Sequence, residues 1–220
     1  NIGKKNTVTN LLNILDKKKL LNNKKYEIKI NKNLPIQSGL GGGSMNAAAI
    51  FKFLIKKNNL RITKRNIKKT SNLVGSDVIL GMYSKNLILK SNGTIFPISS
   101  SKCMNVLVVK PDFGCSTKKI FSKVKQFNNS NFNYPTKKLF SFSKLNKLSN
   151  NLELIAFDIY PKLRSLKVFL ENLPNVQLVR MTGSGSAMIA YFSSSKLCKQ
   201  AKKKVKKHFG KYWCQTAKTM

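Results

Sequence analysis

Acidic residues are scarce in this 220-residue chain: 7 Asp and Glu stand against 42 Lys and Arg, a formal charge of +35. Histidine is nearly absent, with His208 alone, and the cysteines Cys103, Cys115, Cys198 and Cys214 contain no C-x-x-C pair. That poverty of ligands argues against a zinc site. So few cysteines in a chain this long make no disulfide scaffold, and a reducing compartment is the default, cytoplasm or plastid stroma. No apolar run approaches the roughly 20 residues of a membrane-spanning helix, and no signal peptide is read. Arginine is limited to Arg61, Arg65, Arg164 and Arg180. A balance this basic suggests nucleic acid or an anionic membrane. Lysine, however, makes poorer bidentate contacts to bases and phosphates than arginine. The lysines are also spread over the whole chain among Asn and Ile, as A+T-rich codons dictate. The expectation is therefore no obligate nucleic-acid partner and no membrane. The hydrophobic fraction of 41% is well clear of disorder.

Glycine, by contrast, is concentrated. Gly39, Gly41, Gly42 and Gly43 fall within five residues of the stretch Pro35-Ile36-Gln37-Ser38-Gly39-Leu40-Gly41-Gly42-Gly43-Ser44-Met45. Before it, Tyr26-Glu27-Ile28-Lys29-Ile30 alternates apolar and charged, which predicts a half-buried strand. After it, strong helix formers predict a helix over 44–57 with Ser44 as its N-cap, burying Ala47, Ala48, Ile50, Phe51, Leu54 and Ile55. Strand, glycine loop and helix N-terminus together suit an anion. Glycine lets the backbone approach closely, and the first helical turn leaves N–H donors at the positive end of the dipole. The alternative is a tight loop that lets the helix pack on a sheet. The stretch is neither a common P-loop, for no lysine follows the last glycine, nor a dinucleotide fingerprint.

The remaining pattern is mixed. Helices are expected over Thr7–Leu21 and over Thr63–Leu73, the latter capped by Thr63. Asp77, in Gly75-Ser76-Asp77-Val78, is the one acid that follows a glycine and precedes an apolar run, and it is either a helix cap or a functional group. Asn92-Gly93 predicts a hairpin between strands 86–89 and 94–98. A domain boundary is placed near Ser99-Ser100-Ser101, giving domains 1–99 and 100–220. Met104–Val109 reads as a buried strand, and Ser116-Thr117 opens a helix through Val124 in which Phe121 is core by default. Residues 126–150 read as a connection with one short helix, followed by helices 151–160 and 161–173. Strands 177–181 and 187–192 flank Thr182-Gly183-Ser184-Gly185-Ser186. A basic helix 195–209 and a strand 212–216 close the chain.

The spacing P-x-x-x-G-L-G-G-G-S-x-N-A-A resembles the second motif of the galactokinase, homoserine kinase, mevalonate kinase and phosphomevalonate kinase (GHMP) superfamily. The triple glycine with Ser-x-Asn-Ala-Ala looks most like the branch that acts on CDP-methylerythritol. Gly75-Ser76-Asp77-Val78, Pro111 to Thr117 running into Ile120-Phe121, and Arg180 to Ala187 resemble further motifs of that branch, in the same order. The resemblance implies an α+β fold in two parts. The first is like ribosomal protein S5 domain 2 and binds ATP; the second is ferredoxin-like. It implies ATP-dependent phosphorylation of the 2-hydroxyl of the methylerythritol moiety of CDP-methylerythritol, in the non-mevalonate route to isoprenoids, with Mg²⁺ offsetting phosphate charge. The residues from Pro35 to Met45 would bind ATP, Asp77 would be catalytic, and Gly183, Ser184 and Gly185 would support the phosphates. Thr117 and Phe121 would bind substrate, with Phe121 stacked on cytosine. In the family, about three strands precede the helix corresponding to 7–21 and carry a lysine near the phosphates and aromatics around the cytosine. The resemblance therefore implies a further N-terminal segment. The alternatives are another small-molecule kinase of the superfamily (homoserine or mevalonate type), an inactive remnant, and a basic RNA-binding protein.

Overall fold

The computed structural model describes residues 6–57, 60–98, 103–126 and 141–219. The chain forms two compact units. One comprises residues 1–33 and 41–97, the other 34–40 and 98–220. The boundary expected at Ser99-Ser100-Ser101 lies outside the described residues.

In the first unit, α1 (Thr7–Lys17), α2 (Gly42–Lys57), α3 (Lys64–Val74) and α4 (Val78–Gly81) are followed by a hairpin of β1 (Asn86–Leu89) and β2 (Ile95–Ile98). Leu11 and Leu15 of α1, Ala47, Ala48, Phe51 and Leu54 of α2, and Val74 and Val78 form its core. The spacing of these residues gives each helix one apolar stripe. Helix α1 starts at a capping box: Asn6 Oδ1 accepts from the N–H groups of Val8 and Thr9, and Thr9 Oγ1 accepts from Asn6 N–H. It stops four residues short of the expected Leu21, where Lys19 turns to φ +55°. Thr63 caps α3 by accepting from Asn66 N–H. At the hairpin, Gly93 takes φ +75° and Asn92 Oδ1 accepts from Thr94 N–H.

Two expectations fail here. Residues 24–33 form no strand. Tyr26, Ile28 and Ile30 are half-buried while Lys25, Glu27 and Lys29 are exposed, so the alternation governs burial. A strand also needs a neighbour to accept its backbone hydrogen bonds, and the two sheets of the described residues consist of β1-β2 and of four strands in the other unit. Ser44 is not the N-cap of α2. The helix begins at Gly42, with Met45 N–H donating to Gly41 C=O at 2.9 Å, so Ser44 sits inside the first turn.

The second unit carries β3 (Asn105–Lys110), α5 (Thr117–Phe121), α6 (Phe142–Leu145), α7 (Leu152–Ile159), α8 (Lys162–Glu171), β4 (Leu178–Met181), β5 (Met188–Phe192), α9 (Ser195–His208) and β6 (Trp213–Lys218). Its sheet runs β4-β5-β3-β6 and is antiparallel throughout, with Val109 opposite both Met188 and Cys214. Strand β3, helices, the β4–β5 hairpin, α9 and β6 give the β-α-β-β-α-β order of a ferredoxin-like fold. Alternation sorts the side chains of β3. Leu107 and Val109 join Leu163, Leu166 and Leu170 of α8 and Ala201 and Val205 of α9, while Val106 and Val108 meet Ala187, Ile189, Tyr191 and Leu40 on the opposite face. All four cysteines are free, and three of them are buried.

Candidate functional site

The site residues of the first unit gather at the start of α2. A first-turn residue has no helical acceptor for its N–H, and here no other group substitutes. The amides of Gly41, Gly42, Gly43 and Ser44 donate to nothing among the described residues. Gly41 lies at φ +65° with open space where a side chain would project. The turn is held from behind by Thr7 Oγ1, which donates to Gly43 C=O at 2.9 Å. The sequence singled out Thr7 only as the first residue of a helix.

Helix α4 packs directly against the first turns of α2. A Cβ on Gly81 would meet Ala48 Cβ at 2.6 Å and Met45 Sδ at 3.0 Å, and one on Gly75 would lie 3.9 Å from Ser44 Oγ. Asp77 stands at the start of the helix that makes this packing. Asp77 precedes α4 with its backbone in the helical region and makes no side-chain cap hydrogen bond. It is exposed, and Ser76 Oγ donates to its Oδ1 at 3.2 Å. Of the two roles open to it in the sequence, capping has no hydrogen bond behind it.

In the second unit, the opening of the glycine stretch lies along the β4–β5 turn. Ser38 C=O accepts from Ala187 N–H at 3.0 Å and Thr182 Oγ1 at 3.2 Å, and Gln37 C=O accepts from Ser186 N–H at 3.3 Å and Cys115 N–H at 3.4 Å. Gly39, at φ +72°, allows the approach: a Cβ there would overlap the Thr182 carbonyl oxygen and reach Gly185 C=O at 2.9 Å. Gly39→Ala is therefore expected to lower stability by about 2 kcal/mol or more, combining overpacking with left-handed strain. Thermal unfolding checks this, and an unchanged melting temperature would mean the approach is not needed.

The turn itself closes through Thr182 N–H to Ala187 C=O at 2.9 Å and Gly185 N–H to Thr182 C=O at 2.8 Å. Gly183 and Gly185 take φ +49° and +84°. The N–H groups of Gly183 and Ser184, between them, donate to nothing among the described residues. Ser184 Oγ hydrogen-bonds Thr117 Oγ1 at 2.8 Å, so Thr117 and the turn come together. Ser116 caps α5 by accepting from Lys119 N–H, and its own N–H donates to Tyr160 Oη at 3.1 Å. Helix α5 ends at Phe121, short of the expected Val124, and Phe121 is 49% exposed. Its default reading as core is overturned: in so short a helix, Ile120 takes the single buried position. Cys115 lies beside Gly185, and burial pushes its thiol up to about 11 against the opposing pull of Lys110. It is therefore a protonated, unreactive thiol at neutral pH.

Residues 6–85 match the family described as GHMP kinases N terminal domain. Over all 220 residues the chain is 50% identical to a 4-diphosphocytidyl-2-C-methyl-D-erythritol kinase of Pelagibacter ubique (strain HTCC1062), of which it covers 78%. A protein of that name from Petrotoga mobilis (strain DSM 10674 / SJ95) is 32% identical over 74% of this chain and 65% of its own length. Among solved structures, that of a 4-(cytidine 5'-diphospho)-2C-methyl-D-erythritol kinase superposes with a TM-score of 0.77 at 20% identity, over 98% of this chain and 79% of the other. A homoserine kinase from Cytophaga hutchinsonii ATCC 33406 superposes with a TM-score of 0.70 at 15% identity, over 99% of this chain and 76% of its own. These likenesses carry the fold.

Proposed function

The chain belongs to the 4-diphosphocytidyl-2-C-methyl-D-erythritol kinase family, and we propose that it carries out the reaction this name describes, ATP-dependent phosphorylation of the methylerythritol 2-hydroxyl of CDP-methylerythritol. The observation that carries the reading from family to site is the row of unpaired amides from Gly41 to Ser44, with the exposed carboxylate of Asp77 at the start of the helix packed against α2. In phosphoryl transfer the protein chiefly positions the reactants and stabilises charge. The amides and the helix dipole hold the ATP phosphates. Asp77 accepts or orients the proton of the attacking hydroxyl. The N–H groups of Gly183 and Ser184 offer a second pair of donors to phosphate oxygens, and Thr117 and Phe121 meet the substrate.

Mg²⁺ fits this donor set as an ion held mainly by phosphate. The described residues contain no group of three or more His, Cys, Asp and Glu that could enclose a metal, and Mg²⁺ commonly takes one or two carboxylates with phosphates and waters. Asp77 and the Ser44 hydroxyl are the protein groups that would hold it. The ion would neutralise charge developing on the transferred phosphoryl group.

Release of ADP with CDP-methylerythritol, homoserine and mevalonate offered in turn tests the assignment. Turnover with CDP-methylerythritol alone is expected, and turnover with either rival alcohol instead would overturn it. Phe121→Ala is expected to weaken CDP-methylerythritol binding by about 1–3 kcal/mol, the range of base–aromatic stacking. ATP affinity and melting temperature should hold, because the ring is half in solvent. Equal losses for both ligands would remove Phe121 from the substrate site.

A further inference from the structure

Asn150 stands outside every motif of the sequence, yet its side-chain amide donates twice to the second glycine turn and the residue before it. Its Nδ2 donates to Gly183 C=O at 2.7 Å and to Met181 C=O at 3.0 Å. Its Oδ1 accepts from Leu152 N–H at 3.0 Å, at the start of α7. That last bond fixes which end of the amide faces the turn, since only the NH₂ end can serve two carbonyls. The neighbouring strand is anchored by the same segment. Glu153, 6% exposed, accepts from Met181 N–H at 3.0 Å and from Lys167 Nζ at 2.8 Å. Arg180 donates to the carbonyls of Leu148 and Leu145. The stretch from Leu145 to Glu153 thus grips both the backbone entering the turn and the turn itself.

The geometry points to Asn150 as a positioning residue for phosphate binding. By holding the carbonyls of Met181 and Gly183, it turns the intervening peptides so that the N–H groups of Gly183 and Ser184 remain unpaired, as a pair of donors to the phosphates of ATP. Glu153 secures the strand on which that pair is mounted. This inference rests on the kinase reading for the identity of the anion, but not for the existence of the donor pair.

The test compares Asn150→Ala, Asn150→Asp and a core control, Val179→Ala, whose side chain is buried on the same strand. Equilibrium affinity for ATP and for CDP-methylerythritol, turnover at saturation and melting temperature are measured in the full-length gene product. Losing the outer-shell partner of a metal ligand typically costs about tenfold to a hundredfold, and a loss of the same order is expected for the support of an anion-binding turn. Asn150→Ala is expected to weaken ATP binding by that factor, with turnover at saturating ATP reduced less. Asn150→Asp, which sets a carboxylate oxygen against two carbonyls, should be worse still. Val179→Ala should lower the melting temperature and leave ATP affinity alone. Asn150 variants that lose melting temperature as the control does, with parental ATP affinity, would overturn the proposal. So would a loss confined to CDP-methylerythritol, which would assign the turn to the diphosphate of the other substrate. If the parent binds ATP without turning over CDP-methylerythritol, the kinase assignment fails by itself, and the ATP-affinity comparison still decides the role of Asn150.

Discussion

Asp77→Asn is expected to abolish most turnover, by about 10²–10⁴-fold, while folding and ATP affinity survive. The substitution keeps the size of the side chain and one acceptor oxygen and removes the charge and the proton acceptor. As a helix N-cap, asparagine serves about as well as aspartate, so a capping role would leave activity intact. In the structure Asp77 makes no side-chain cap hydrogen bond to α4. Its exposure also means that no desolvated partner is orphaned by the change, and the melting temperature should move little. Single-turnover kinetics in the full reading frame, beside an ATP titration, is the decisive measurement. A variant that phosphorylates CDP-methylerythritol within a few-fold of the parent would take Asp77 out of the chemistry.

Gly42→Val is expected to weaken ATP binding by about a hundredfold or more. Gly42 is the first residue of α2 and is not among the glycines with a left-handed backbone, so valine can adopt its conformation. Valine and glycine also differ little in helix propensity, and stability should be preserved. What changes is the approach to the amides of Gly41 to Ser44, where a branched side chain would stand in the path of the phosphates. Hydrogen bonds to charged groups contribute about 1.5–3 kcal/mol each, and losing two of the four exceeds a hundredfold in affinity. Isothermal titration with ATP settles the matter. Unchanged affinity would make the glycine run a packing device, the reading under which it merely lets a helix sit close to its neighbours.

The features legible in the sequence were those with a local cause. Apolar periodicity gave the helices, Asn92-Gly93 gave the hairpin, and Thr63 and Ser116 were recognisable as caps because a cap is made within three residues of itself. The strands and helices of the second unit were read from local signals, while its ferredoxin-like order was implied by the family resemblance. The segment 26–30 shows the limit of the method: alternation encodes one-sided burial, and pairing depends on a neighbour that the pattern does not contain. Ser44 was misplaced because propensity pushes glycine out of helices, whereas a first turn, whose N–H groups have no helical acceptors, tolerates it. Phe121 was read as core from its residue type, in a helix too short to have a periodicity. Asn150 and Glu153 escaped because their partners lie 28 to 33 residues away. One signal was available for Glu153: in a chain with 7 acids, it occupies an otherwise apolar stretch with Leu152, Leu154, Ile155, Ala156 and Phe157. The charge of +35 pointed to polyanions, and the specific reading came instead from a few glycines and one aspartate.

The assignment of residues 34–40 to the second unit also has a consequence for how the protein is made. Ser38 and Gln37 bond to Thr182 and Ser186 across 144 and 149 residues of chain, so these are contacts of very high contact order. At ordinary translation speeds of about 5–20 residues per second, the segment waits roughly 7–30 s after synthesis before its partners exist. Helix α2 can nucleate long before then, with the segment ahead of it still solvated. Severing the chain at Pro97 would likewise leave each product short: the later fragment would expose the N–H groups of Ser186 and Ala187, and the earlier one would carry residues 34–40 with nothing to lie against. The opening of the glycine stretch is thus translated well before the turn that completes it.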